Sequence, residues 1–309
     1  MELWAVLHEA VSSVFHTPRR LAEYVALRRS IFHLKTDQPP NKLRHDIVIK
    51  GDTIIRHSQM GNPDLSMWVE RMVVEKAAGA GARIIHLEIG NDDKSTYHVM
   101  ARAKGIPLAE VPAGRPRQIA FCGLGMELAR LHQIQGKGAG FVYPSDGLVI
   151  GVQERWADHL LAKLGNHIQI PDLFYVNHRI STLISTFCDT AHVYPTVLLH
   201  ADLNPHNIFV NSSSAFPITA ILDWEDALVG DPIYDLANWA TFHDAEEDDW
   251  DQLFAGYYAR TERPSDFDWR FWIYYLRISV SKYVQLQRYG FPDLTRARRR
   301  IDRALEALE

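Results

Sequence analysis

The sequence predicts an α+β protein of two lobes, a small β-rich lobe followed by a larger, mainly helical one. Three observations carry that expectation. Short β-rich runs cluster between residues 45 and 102 around a single helical pattern. Apolar residues at helical spacing dominate from Gly105 onward, and one polar loop, "HADLNPHN", interrupts them between two short apolar runs. At 309 residues the chain is long enough to bury a continuous core across both lobes.

Residues 2–33 read as two amphipathic helices. Leu3, Leu7, Val11, Val14 and Phe15 recur at helical spacing. Thr17-Pro18 then offers an N-cap followed by proline at the first helical position, and Leu21, Tyr24, Val25, Leu27 and Phe32 form a second stripe. "TDQPPN" (36–41) ends that pattern, so residues 1–35 form an N-terminal helical segment. "HDIVIKGDTIIRHS" follows as two strands joined at Gly51-Asp52, a hairpin signal. "GNPDLSMWVERMVVEKAAGAG" (61–81) holds a helix between turn residues and closing glycines, and "RIIHLEIG" and "TYHVMAR" alternate as two more strands. The small lobe thus covers 36–104, with the boundary near Met100–Gly105, and the helical lobe covers 105–309. Within the second lobe, strands are expected only beside the polar loop. The basic stretch "RARRRIDRAL" (296–305) reads as a docked helix with Leu294, Ile301 and Leu305 on one side and a solvated face opposite.

Composition excludes several classes. Apolar content of 47% and charged content of 23% are ordinary for a soluble globular protein, and a net charge of −5 makes no electrostatic case for nucleic acid or an anionic membrane. The cysteines, Cys122 and Cys188, stand alone among apolar neighbours, which predicts reduced core thiols and a cytoplasmic location. The start Met1-Glu2 lacks the basic and apolar stretches of a signal peptide, and no run reaches the ~18 apolar residues of a membrane helix. His57, His86, His132 and His192 show no paired spacing for zinc, and Trp239, Trp250, Trp269 and Trp272 are expected in the core.

The chemistry gathers at the polar loop. Val197–Leu199 and Ile208–Val210 read as buried strands, and between them stand His200, Asp202, Asn204, His206 and Asn207, with Pro205 ruling out a regular helix. Downstream runs "NIFVNSSSAFPITAILDW". If 207–210 and 219–222 pair antiparallel about Ala215, Asn207 lies opposite Asp223 at the open end, beside the loop bearing Asp202. Such oxygen groups suit Mg²⁺, which takes one or two carboxylates with phosphate and water. A third carboxylate free of the metal could orient a hydroxyl and accept its proton, the division of labour that phosphoryl transfer needs. The plainer alternative is that Asp202 and Asn207 only hydrogen-bond the turn, as Asx residues do.

"HADLNPHN", "ILDWEDALVGDP" and "DLANW" resemble the signature of the aminoglycoside phosphotransferase family, which shares the two-lobed protein-kinase fold. The resemblance implies that Asp202 is the acceptor-orienting base, that Asn207 and Asp223 hold Mg²⁺ on the phosphates of ATP or GTP, and that His200 and Asp235 keep the loop in shape. "GDTIIRHS" resembles the strand with the phosphate-pairing cation, here Arg56, and Glu70 in "MWVERMVVEKAAGAG" matches its carboxylate partner. Glu75 competes for that role, but five residues on a helix turn through about 140°, so only one of the two faces the cleft. "YHVMARAKG" resembles the hinge, where backbone groups of Met100, Ala101 and Arg102 would bind the base. "GAGFVYPSDGLVIGVQERWADHL" and "YYLRISVSKYVQL" are most similar to the hygromycin B phosphotransferase branch. One departure stands out: "TDQPPNKLRHD" lacks the glycine-containing phosphate loop, so the phosphates are covered differently or held loosely. "GKGAG" (136–140) reads as a plain loop of the helical lobe.

The expected function is a small-molecule kinase that moves the γ-phosphoryl of a magnesium nucleotide directly onto a hydroxyl of an aminoglycoside-like or other antibiotic acceptor. The alternatives are a kinase for a metabolic amino alcohol or sugar and a kinase-shaped module without catalysis. A protein kinase does not fit, because "DWED" stands where that group has Asp-Phe-Gly and no Ala-Pro-Glu segment follows. The run "DAEEDDWD" (244–251), with Asp244, Glu246 and Glu247, is either solvated surface or a site for a cationic acceptor; Glu225 and Asp226 could serve that acceptor too. The expected partner is thus a small molecule, with no nucleic acid and no membrane, bound by a monomer or homodimer.

Overall fold

The structure, a computed structural model, describes residues 45–58, 63–91, 96–143, 148–162, 174–191, 194–211, 217–242, 247–291 and 294–309. The helices expected over 2–33, the linker 36–41 and most of the glycine-free stretch before the first hairpin lie outside these residues.

Strands β1 (His45–Lys50) and β2 (Thr53–Ser58) form the antiparallel hairpin, with Arg56 facing Ile47 across it. Its turn needs Gly51, whose φ of 61° lies in the left-handed region. Helix α1 (Pro63–Gly79) begins on a proline and buries Met67, Val69, Val73, Val74 and Ala77. It stops where Gly81 turns to a φ of 76° and Ala82 N–H reaches back to Ala77 O at 3.0 Å, a glycine C-cap. Strands β3 (Leu87–Asn91) and β4 (Thr96–Ala101) complete an antiparallel sheet of order β1-β2-β4-β3. The central pair of that sheet aligns Arg56 with His98.

The large lobe starts with the short β5 (Ile106–Pro107), which pairs not with the small lobe but with β9 (Ile208–Val210). β10 (Ile218–Ile221) completes that three-stranded sheet. A second sheet has the order β7-β6-β11-β8, from β6 (Ala139–Tyr143), β7 (Ile150–Gln153), β8 (Val197–Leu199) and β11 (Leu228–Gly230). Strands β6, β7 and β11 correct the expectation that strands in this lobe flank only the polar loop. They are three to five residues long, too short to show a period of two, and "GKGAG" leads directly into β6.

Around these sheets pack α2 (Arg115–Leu131), α3 (Trp156–Ala162), α4 (Phe174–Thr190), α5 (Ile233–Phe242), α6 (Glu247–Tyr258), α7 (Phe267–Arg288) and α8 (Thr295–Ala307). Helices α2 and α6 cross so closely that a β-carbon on Gly125 would collide with the Leu253 carbonyl, and one on Gly256 with that of Cys122. Helix α8 docks through Ala297, Ile301, Ala304 and Leu305, while Arg303 stacks over Trp250 at 4.4 Å. Trp239 and Trp250 are buried, but Trp269 is 36% exposed and departs from the expected core position. One buried cluster runs from Val69 on α1 to Leu305 on α8, so the lobes share a core. Helix α5 lies at its centre, buried from Ile233 through Thr241, and its position sets the site. Among the described residues no helix is long and apolar enough to cross a membrane.

Candidate active site

The polar loop joins β8 to β9 and hangs from α5 by its backbone. Asp235 accepts from His200 N–H through Oδ2 and from Ala201 N–H through Oδ1, each at 2.8 Å. One turn further along the same helix, Asn238 Oδ1 accepts from Leu203 N–H at 2.9 Å. These bonds hold Ala201 at a φ of 64°, a left-handed conformation that costs a residue with a β-carbon about 1–2 kcal/mol. Asp202 follows directly. His132 extends the support, with Nε2 3.2 Å from Asp235 Oδ2 and Nδ1 2.9 Å from the Tyr257 hydroxyl.

His200 joins this loop to the Asp223 turn. Its Nδ1 accepts from Asp202 N–H at 3.3 Å, so Nε2 carries the proton and donates to Leu222 O at 2.9 Å. Its ring packs on Trp224 at 4.6 Å. The Asx role in the turn falls to Asn204, which accepts from His206 N–H at 3.0 Å. Asn207 closes the turn with its backbone, its N–H donating to Asn204 O at 2.8 Å, while its side-chain Nδ2 lies 3.5 Å from Asp223 Oδ2.

The pairing that brings Asn207 to Asp223 differs by one residue from the expected register. Ile208 faces Ile221 and Phe209 faces Ala220, with an irregularity between Ile218 and Ala220. Asn207 O accepts from Leu222 N–H at 2.8 Å, so Leu222 and not Asp223 is its backbone neighbour. The left-handed φ of 69° at Asp223 then turns the chain, and its carboxylate still meets Asn207. Thr219 sits at the irregularity, with its hydroxyl donating to Lys104 O at 2.5 Å.

From the small lobe, Arg56 pairs closely with Glu70 through Nη2 and extends Nη1 to 3.5 Å from Asp223 Oδ1. Glu70 also accepts from Trp224 N–H through Oε1 at 3.3 Å, so one carboxylate ties α1, the cation and the Asp223 turn together. Glu75 is exposed and takes Arg71 instead, at 2.8 Å. Burial opposes the charge on Arg56, but Glu70, Asp223 and Glu225 outweigh it and hold the guanidinium above its ordinary pKa. Burial, with the charges of Glu225 and Glu70, pushes the Asp223 carboxyl up to about 8, against the pull of Arg56. Carboxylates crowd this point, and a divalent cation would relieve them. Among the described residues no cluster of three or more His, Cys, Asp or Glu could hold a metal unaided. Asn207 and Asp223 could instead supply the sparse oxygen set that suits Mg²⁺ when phosphate and water complete the sphere.

The remaining expected positions fall in different places. Glu225 is buried and its charge acts on Arg56 and Asp223. Asp226 is partly buried beside it. Met100 and Ala101 end β4, paired with Ile54 and Thr53, and Arg102 N–H donates to Asp52 O at 2.7 Å, so that N–H is not free for a base. Asp244 and Glu246 lie outside the described residues, and Glu247 opens α6.

Three contributors had not been singled out. Asn238 was legible in "DLANW", since three residues after Asp235 shares its helix face. His98 contacts Arg56, through a strand register that the sequence does not show. Lys282 on α7 reaches into this region: its Nζ donates to Thr241 Oγ1 at 2.7 Å, lies 3.2 Å from the Phe242 ring centroid and feels the charge of Asp202.

A β-rich lobe that supplies a carboxylate-paired cation, and a helical lobe that answers it with a loop aspartate, an asparagine and a strand-end aspartate, define a kinase-like phosphotransferase architecture. The chain belongs to the APH phosphotransferase enzyme family, whose model matches residues 63–275, well over half its length. It is 27% identical to the hygromycin-B 4-O-kinase of Escherichia coli over 163 residues, which span 49% of this chain and 45% of that protein. The fold is similar to that of a thermostable mutant of aminoglycoside phosphotransferase APH(4)-Ia in ternary complex with AMP-PNP and hygromycin B, with a TM-score of 0.63 and 19% identity over 90% of this chain and 97% of that one. It is also similar to a choline/ethanolamine kinase family protein from Mesorhizobium loti, with a TM-score of 0.60 and 18% identity over 88% and 87% of the two chains.

Proposed function

We propose that this protein is a small-molecule kinase that transfers the γ-phosphoryl group of a nucleoside triphosphate to an acceptor hydroxyl. The observation that carries the reading is the convergence on Asp223, where Arg56 arrives from one lobe and Asn207 from the other, each at 3.5 Å. Asp223 and Asn207 would hold Mg²⁺, the amide turning its oxygen toward the cation; bound there, the ion would neutralise charge on the phosphates. Arg56, held by Glu70, binds the same phosphates from the small lobe. Asp202 stands on the supported loop, orients the acceptor hydroxyl and takes its proton as the new P–O bond forms and the bond to the leaving nucleoside diphosphate breaks.

An aminoglycoside-type acceptor is supported by the relatedness to hygromycin-B 4-O-kinase and by the fold shared with the hygromycin B complex. An amino alcohol is the second reading, favoured by the likeness to the choline/ethanolamine kinase family protein. The test is a screen for transfer of labelled γ-phosphate from ATP and from GTP to aminoglycosides, other hydroxylated antibiotics, amino alcohols and sugars, with and without Mg²⁺. Magnesium-dependent phosphorylation within one of these groups is the expected result. Nucleotide binding without transfer to any acceptor would favour a kinase-shaped binding module.

A further inference from the structure

Beside the Arg56–Glu70 pair stands a histidine that has no part in the chemistry described so far. His98, on β4, lies directly across from Arg56 on β2 and is wholly buried. Arg56 Nη2 is 2.8 Å from His98 Nδ1, and His98 Nε2 is 3.1 Å from the Met67 carbonyl oxygen on α1. A guanidinium offers only donors, so Nδ1 must accept; a carbonyl offers only lone pairs, so Nε2 must carry the proton. One species satisfies both contacts: the neutral imidazole protonated at Nε2.

That imidazole decides how Arg56 is presented. Nη2 has two hydrogens, and Glu70 Oε2 takes one while His98 Nδ1 takes the other. With Nη2 saturated, the plane of the guanidinium is fixed and Nη1 points toward Asp223. Without His98, the fork is free to turn an edge onto Glu70 as a bidentate pair, the arrangement arginine and carboxylate favour, and Nη1 would leave the phosphate side. We propose that His98 is a positioning residue for nucleotide binding: in its neutral form it orients Arg56 toward the phosphates, and protonation releases that hold. This rests on the nucleotide-binding reading above.

Charged groups meet the ring from two neighbouring elements. Arg56 meets it from β2 and Glu70 Oε2 lies 3.5 Å from its Nδ1 from α1, while Asp223 and Glu225 act on Arg56 itself. Its cross-strand neighbour on β3 is the apolar Ile89. A protonated ring would turn a donor toward the Arg56 donor and offer itself to Glu70, so two cations would compete for one carboxylate. Nucleotide affinity should therefore fall on acidification.

The experiment measures binding of Mg-ATP and Mg-GTP by calorimetry, without acceptor, from pH about 7.5 down to about 5.5. It compares the wild type with His98→Gln and His98→Leu. Glutamine can accept from Arg56 and donate to Met67 O but does not titrate. His98→Leu is expected to bind nucleotide about tenfold more weakly at the upper pH, as for one lost hydrogen bond to a charged group, with acceptor KM unchanged. His98→Gln is expected to bind within about threefold of the wild type there and to lack the part of the acid loss that the imidazole causes. If His98→Gln follows the wild-type pH curve, or a folded His98→Leu binds as the wild type does, the positioning role is overturned. Should His98→Leu fail to fold, the pH comparison with His98→Gln decides alone. A wild type that binds neither nucleotide overturns the kinase reading itself, an outcome separate from these.

Discussion

Asp235→Asn probes the support beneath the loop that carries Asp202, and its effect can be worked from the bonds. The carboxylate accepts two backbone N–H groups at 2.8 Å, one on each oxygen, and Oδ2 also takes His132. An amide keeps one acceptor and turns an NH₂ toward either the Ala201 or the His200 N–H. One hydrogen bond to a charged group is lost and a buried donor is left unsatisfied, a cost of about 2–4 kcal/mol. For a chain of this size that lowers Tm by roughly 3–6 °C. Catalysis should suffer more, because Ala201 sits at a φ of 64° and loses a bond that holds it there, one residue before Asp202. A shift of about 1 Å at a reacting group costs on the order of a hundredfold in kcat.

The assay pairs thermal unfolding with steady-state kinetics and direct nucleotide binding, which should change by less than about threefold because Arg56 and Asp223 stay in place. Adding Ala201→Gly to the variant should recover about 1 kcal/mol, since glycine adopts positive φ freely. A variant whose Tm stays within about 1 °C of the wild type and whose kcat stays within about twofold would refute the support attributed to Asp235.

Three further outcomes follow from the site. Asp202→Asn should leave fold and nucleotide affinity nearly intact while turnover falls by about two to four orders of magnitude; near wild-type turnover would remove Asp202 as the base. Asp223→Ala should abolish the magnesium dependence of nucleotide binding, checked by calorimetry with and without Mg²⁺, and unchanged affinity in both would place the ion elsewhere. Lys282→Met should raise Tm at neutral pH. Burial pushes the Lys282 ammonium down to about 7, aided by Arg300 and opposed by Asp202, so between pH 7 and 10.5 the unfolded chain holds a proton that the folded one has released. Wild-type stability therefore gains from this group as pH rises through that window, and the advantage of the variant should be largest below pH 7 and fade toward 10.5. A Tm difference that stays constant with pH would show that Lys282 is charged throughout.

Much of this architecture was legible because it is local. The hairpin at Gly51-Asp52 and the α1 helix with its glycine stop each depend on residues a few positions apart; that Glu70 and Glu75 face different ways is local too, while the choice of Glu70 rests on the family resemblance. The loop residues were legible for the same reason, since "HADLNPHN" packs its polar groups between two apolar strands. Short strands such as β7 and β11 were not, because three or four residues cannot display a period and their pairing comes from distant chain. Thr219, at the irregularity, likewise bonds to Lys104, distant in sequence and in the connection between the lobes.

The site shows the same boundary in a finer form. Residue type announces that a carboxylate or a guanidinium will need partners once buried, but only the fold assigns them. Glu225 follows Asp223 closely and could have faced either substrate; the turn after the left-handed Asp223 buries it on the side of Arg56. His98, between Tyr97 and Val99, reads as one more inward residue of a strand until β2 and β4 pair and set it against Arg56. Both cases turn on the same requirement. A buried guanidinium is aimed by the partners of its donors: Glu70 and His98 take the two hydrogens of Nη2 while Nη1 is left pointing at Asp223, and Nε is buried with no hydrogen-bond partner among the described residues. The direction in which Arg56 points is thus fixed by the donors that are already used.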